Sequence, residues 1–250
     1  MTPKRLTIIA VALLAIAVGA YMLNNRSHRR AYQKPRFEYR GRDMSSVAYT
    51  EEDYDGIDVS RHQGMIDWDT VAKNPKIQFV YIKATMGYNH PDPRYKANIS
   101  EAREAGLKVG SYHFFTSKFS VEKQYRSFRE MAEPSEQDLI PMVDVETGWV
   151  KNWTKKQLRD SLRKFCRLVE RDYGCKPMIY SNEHFYNQML APDFNDHILY
   201  IASYLHYPQI SGNGAHDLWQ FTEKGHIHGI NEYVDLCRFT NDTGLKDILR

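Results

Sequence analysis

Residues 139–146 read LIPMVDVE, and the fold is decided by how this octet is read. An apolar run leads into two carboxylates, Asp144 and Glu146, spaced two apart. A strand buried on both faces has this composition, because neither face meets water. Side chains two apart on a strand point the same way. The two carboxylates therefore share one side at the strand's C-terminal end. Acidic residues at strand ends also cap helices or pair with Lys and Arg. Two on one face of an apolar run fit that explanation poorly, because burying them without a role is costly.

Working outward, similar short apolar runs recur at 54–59, 78–85, 108–115, 176–182, 198–204, 217–222 and 233–239. Together with 139–146 they predict eight strands. Helical spacing separates the first five. Val121, Tyr125, Phe128 and Ala132 repeat at helical intervals, as do Leu158, Leu162, Phe165 and Val169. The second set starts after Thr154, an N-cap residue, and ends at Gly174. A further helix, 93–105, ends at Gly106. Regular helices are expected after the first four strands and a short one after the fifth. The last three strands are joined by Gly- and Asn-rich connections with little room for helices. Alternation of strand and helix implies parallel strands. Eight of them predict an α/β fold, an irregular TIM-like barrel with fewer outer helices. An open doubly wound sheet would need a Gly-rich phosphate loop after its first strand, and 58–64 (DVSRHQG) does not supply one.

The chain has 250 residues, with 34 Lys and Arg against 31 Asp and Glu. The charges are unevenly spread. Residues 1–42 hold nine basic side chains and one acidic one, Glu38, and the remainder is mildly acidic. A nucleic-acid partner is not expected of an acidic body. Aromatics at 13 % and apolar residues at 42 % argue against long disorder, and three cysteines argue against a disulfide scaffold. Residues 6–23 carry no charge. As a helix they would span roughly 27 Å, about the thickness of a bilayer core. The expected organisation is a membrane anchor or signal peptide at 1–24, a basic linker at 25–53 and a catalytic barrel at 54–250. The anchored reading puts the body outside the cytoplasm, and the alternative is secretion after cleavage near Val18, Gly19 and Ala20. The basic residues that follow the apolar run outnumber Lys4 and Arg5, which opposes export under the positive-inside bias.

In barrels of this kind chemistry gathers at the C-terminal strand ends. Asp58 lies near the end of the first strand, Asp144 and Glu146 end the fourth, and Asp235 lies in the eighth. Closure makes the first and eighth strands neighbours, so four carboxylates would converge. Like charges and burial raise carboxyl pKa values. A protonated acid beside an ionised carboxylate is the equipment of glycosidic bond cleavage. Tyr112, His113, Phe115, Tyr180, Tyr204 and Trp219 also fall at strand ends, where flat rings suit sugar faces, although aromatics are ordinary core residues too.

These fragments together resemble glycoside hydrolase family 25, the Chalaropsis-type lysozymes. The carriers are GIDVSRHQG at 56–64 followed by IDW at 66–68; FVYIKAT at 79–85; AGLKVG at 105–110 with Tyr112, His113 and Phe114; and PMVDVE at 141–146. Pro177 with IYS at 179–181, IASY at 201–204, WQFT at 219–222 and VDL at 234–236 complete the register. The resemblance covers nearly all of the body. It implies cleavage of the β-1,4 bond between N-acetylmuramic acid and N-acetylglucosamine in peptidoglycan glycan strands, with no cofactor. It implies that Glu146 is the general acid and Asp144 its ionised partner, with Asp58 and Asp235 the further catalytic carboxylates. Tyr112, His113, Tyr180, Tyr204, Trp219, Gln220 and Lys83 are the implied substrate contacts. Retention with help from the substrate's acetamide fits the i, i+2 carboxylates. Two positions depart from the pattern: Met86, where relatives commonly carry an acid, and Cys237, where many carry a polar residue. A non-catalytic sugar-binding barrel and another N-acetylhexosaminidase are the competing readings.

Other combinations carry less. His226 and His228 form an H-x-H pair without a third ligand, so no metal site is expected. Cys166 and Cys175 could pair or remain free thiols. Ser60 beside His62 lacks a nucleophile elbow.

Overall fold

A computed structural model describes residues 52–212 and 214–250. The apolar leader and nearly all of the basic linker lie outside the described residues. Among the described residues no helix is long and apolar enough to cross a membrane.

Eight strands close into a barrel in sequence order. They are β1 (Gly56–Val59), β2 (Phe79–Met86), β3 (Lys108–Phe114), β4 (Met142–Asp144), β5 (Met178–Asn182), β6 (Leu199–Ala202), β7 (Leu218–Gly225) and β8 (Val234–Phe239). β1 to β7 run parallel, as the alternation implies. β8 does not: it is antiparallel to both β7 and β1. The ladder at β4 is shorter than the 139–146 run, because Pro141 has no N–H to give. The chain stays bonded on either side, with Ile140 N–H donating to the Ile248 carbonyl and Val145 N–H to that of Tyr180.

The outer layer is uneven. α1 (Trp68–Val71) is one turn, where a regular helix is expected after the first strand. Asn74 and Pro75 leave it no room to continue. α2 (Tyr95–Glu104), α3 (Val121–Met131) and α5 (Lys155–Tyr173) are the regular helices, with a single turn, α4 (Thr147–Val150), after β4. α5 begins with a capping box between Thr154 and Gln157 and stops where Gly174 turns left-handed at φ 73°. After β5 only short helical turns follow, as expected.

The core has two compartments. One lies between barrel and helices and includes Phe115, Phe128, Phe165 and Val169. The other fills the barrel, with Phe79, Tyr81, Tyr112, Met142, Tyr180, Tyr200 and Leu218 among its members. Glycines make room for the large rings: a Cβ on Gly56 would lie 2.3 Å from the Phe79 ring. On Gly110 it would lie 2.6 Å from Tyr81. The lower barrel is thus packed solid, and open space is left at the end where the parallel strands terminate.

Candidate active site

That space is a pocket of about 280 Å³. Asp58, Asp144, Glu146 and Asp235 all line it, with Lys83, Tyr112 and Tyr180. Asp58 comes from the third position of β1 and Asp144 from the last of β4. Glu146 follows two residues later, at the N-cap of α4. Asp235 needs the reversal of β8. It is the second residue of that strand, and in a parallel strand this position would lie at the packed end. Antiparallel pairing sets Asp235 directly opposite Asp58.

Asp58 is 6 % exposed. Its Oδ2 accepts from the Tyr200 hydroxyl at 2.7 Å and from Gln220 Nε2 at 2.9 Å. Gln220 Oε1 in turn accepts from Tyr180 at 2.9 Å and Tyr204 at 2.8 Å. Asp235 completes the cluster with a hydrogen bond to Asp58. Burial raises the Asp58 carboxyl pKa, and the three donors pull it back. Asp235 is pushed up to about 9, first by burial and then by the Asp58 charge. Asp235 therefore keeps its proton around neutral pH, within the hydrogen bond it makes to Asp58.

The opposite wall carries the other two carboxylates. Burial lifts Asp144 well above the usual carboxylate range, the Glu146 charge adds to this, and Lys83 opposes it. Its buried Oδ1 has no hydrogen-bond partner among the described residues. Sequence reading expects Asp144 to be the ionised member. Burial in the pocket wall and the Glu146 charge instead push its carboxyl towards the protonated form. Glu146 is less buried, and burial raises it as well, with Lys83 again opposing. Lys83 sits over the Phe114 ring at 4.4 Å. Burial lowers its pKa, and Asp144 is the strongest charge holding it up.

Of the expected substrate contacts, Lys83, Tyr112 and Tyr180 line the pocket. Gln220 and Tyr204 do not line it but connect to it, buried Gln220 donating to Asp58 and half-exposed Tyr204 donating to Gln220. The other two lie away from the pocket. His113 is fully buried in the outer layer, stacked on Phe165 at 4.9 Å and bonded to Thr85 at 2.8 Å. Burial pushes its pKa down to about 3, so it is neutral packing. Trp219 also faces away from the barrel, donating to the Ser203 carbonyl at 2.7 Å beside Arg238 and Tyr207. Each neighbours an inward residue, Tyr112 or Gln220, and the alternation of a strand sends it to the other face.

Tyr200, absent from the sequence-derived set, is the closest donor to Asp58. Its signal is parity: within the expected strand 198–204 it stands four residues before Tyr204, although β6 itself ends at Ala202. Cys237 is fully buried in the barrel-interior cluster with Phe79, Tyr81 and Tyr200. Cys166, Cys175 and Cys237 are all free thiols.

Comparison with known proteins matches residues 57–230 to the model of glycosyl hydrolases family 25. The chain is similar to the uncharacterized protein YegX of Escherichia coli (strain K12), 37 % identical over 188 residues, covering 74 % of this chain and 68 % of that one. It is 30 % identical over 186 residues to an autolytic lysozyme of Clostridium acetobutylicum, covering 74 % of this chain and 55 % of that protein. Among solved structures, a family 25 glycosyl hydrolase from Bacillus anthracis superposes with a TM-score of 0.72 at 27 % identity, over 82 % of this chain and 99 % of its own. A bacterial lysozyme from Streptomyces coelicolor gives 0.69 at 26 % identity, over 79 % and 96 %.

Proposed function

The chain belongs to glycosyl hydrolases family 25, and from that premise we propose that Glu146, Asp144, Asp58 and Asp235 divide the work of its reaction. The protein is a lysozyme-type muramidase. It hydrolyses the β-1,4 bond between N-acetylmuramic acid and N-acetylglucosamine in peptidoglycan. The observation that carries the assignment of roles is the convergence of all four carboxylates on one pocket.

Glu146 is the general acid. It is the more accessible of the β4 pair, and burial keeps its pKa raised. Its proton passes to the glycosidic oxygen as the bond to the anomeric carbon breaks. The acetamide carbonyl of the same sugar closes on that carbon, and Asp144 accepts the acetamide N–H through its unpartnered Oδ1. The pair needs one proton for this step, and like-charge repulsion between them supplies the reason it is retained. When the acetamide N–H donates to Asp144, the ionised form of Asp144 is favoured and the shared proton rests on Glu146, from which it passes to the glycosidic oxygen. Glu146, now a carboxylate, takes a proton from the water that reopens the ring, and the configuration is retained. The Asp58–Asp235 pair presents one negative charge from the opposite wall.

Glu146→Gln should lower release of reducing ends from purified peptidoglycan by at least ~10²-fold while the variant still unfolds in one cooperative thermal transition. Mass spectrometry of the fragments should place the new reducing end on N-acetylmuramic acid. Binding without release of reducing ends, by the wild type, would make the chain a sugar-binding barrel instead. An inverted first anomer would remove the acetamide route.

The leader at 1–24 is proposed as a membrane anchor holding the body outside the cytoplasm, where peptidoglycan lies. The uncharged run at 6–23 supports it. Protease added to intact spheroplasts should cut the body from the membrane. Protection would place the body inside, and release without protease would indicate leader cleavage.

A further inference from the structure

The carboxylate pocket shares His62 and Lys83 with a second cavity of about 560 Å³, whose lining includes Arg61, His90, Lys118 and Trp149. The charge pattern reverses across that common wall. The first cavity sets four carboxylates against one ammonium. The second sets Arg61, Lys83 and Lys118 against a single carboxylate, Asp92. Asp92 is already engaged, with Oδ2 accepting from the Arg61 backbone N–H at 3.0 Å and Oδ1 from that of Arg94 at 2.9 Å. Half-buried Met86 adds a thioether to the wall rather than a charge. Lys118 is exposed, with its ammonium 5.3 Å from the centre of the Trp149 ring.

A neutral sugar has no charge to answer these cations. A carboxylate does, and peptidoglycan carries carboxylates beside every second sugar, on the short peptide that extends the lactyl group of N-acetylmuramic acid. We propose that the second cavity receives this peptide stem, with a stem carboxylate against Lys118 and Arg61 and the small stem side chains against Trp149. The assignment rests on the muramidase reading and narrows it: the enzyme recognises the stem as well as the glycan. Salt pairing at an open cavity is modest per contact, so the stem sets preference while the carboxylate pocket sets the chemistry.

The test uses the full chain on two batches of one strand preparation, native and with the stem carboxylates converted to amides. Wild type should cleave the native strands with kcat/KM about fivefold higher, the upper end for an exposed charge contact. Lys118→Glu should bring the two rates towards equality, as should Arg61→Glu, with thermal melts confirming that each variant folds. Equal wild-type rates on both batches, or a Lys118→Glu and Arg61→Glu pair that each keep the full preference, would overturn the stem assignment alone. Release of no reducing ends from either batch would overturn the muramidase reading and the stem assignment with it.

Discussion

Replacing Asp235 by Asn should change how stability depends on pH. Asp235 in the folded chain holds its proton up to about 9, whereas an unfolded aspartate releases it near ~3.9. Over the interval between those values the folded state carries a proton that the unfolded state lacks. Raising the pH therefore favours unfolding: this contribution is fully present below the unfolded value and is lost as pH climbs towards the folded one. The slope is ~1.4 kcal/mol per pH unit, or about 4 kcal/mol between about pH 5 and about pH 8. Asn keeps the shape and the hydrogen bond towards Asp58 but has nothing to titrate. Asp58 faces a neutral neighbour in both proteins, so its own contribution nearly cancels in the comparison. For a chain of this size ~1 kcal/mol moves Tm by roughly 2–4 °C. Thermal melts at the two pH values should show the Tm difference, Asn variant minus wild type, larger by roughly 8 °C or more at the higher pH. Parallel pH profiles, within about 2 °C by the same scale, would show that Asp235 is ionised throughout and that the two carboxylates share no proton.

Three further substitutions probe other parts of the argument. Tyr200→Phe removes the 2.7 Å donor to Asp58 and keeps the ring; kcat on peptidoglycan should fall about tenfold, the scale of a hydrogen bond to a charged group. His113→Ala deletes a ring buried in the outer layer and should cost ~3 kcal/mol of stability, read as a lower Tm, with KM for peptidoglycan unchanged. Gly56→Ala places a methyl group 2.3 Å from the Phe79 ring and should destabilise by ~1–3 kcal/mol; adding Phe79→Leu should restore part of that loss in the same melt.

The sequence made the barrel legible because its strands are buried on both faces and stand out as apolar runs between amphipathic helices. The same property hid which residues face inward. When both faces are apolar, a period of two divides a strand into two sets but does not say which set lines the pocket. Tyr112 and His113 are adjacent and equally aromatic, and only barrel closure separates a pocket residue from a core residue. Trp219 and Gln220 divide the same way. Carboxylates escaped this ambiguity because an acid inside an apolar run has few tolerable places to point. The direction of β8 did have a signal. Only residues 226–233 lie between β7 and β8, a connection of hairpin length, whereas a parallel crossover needs roughly a dozen residues or more. Tyr200 could have been found by stepping back two residues at a time from Tyr204 through the expected strand 198–204. The protonation state of Asp144 could not, because it depends on how deeply the pocket floor excludes water.

Asp58 and Asp235 belong to the first and last strands of the barrel, and they meet only through the pairing of β1 with β8. Every other carboxylate of the pocket can be in place while the barrel is still open along that seam. Such a long-range pairing is also the entropically slow part of assembly. A partly made or partly unfolded chain, its seam still open, therefore holds an incomplete pocket in which Asp58 and Asp235 are apart.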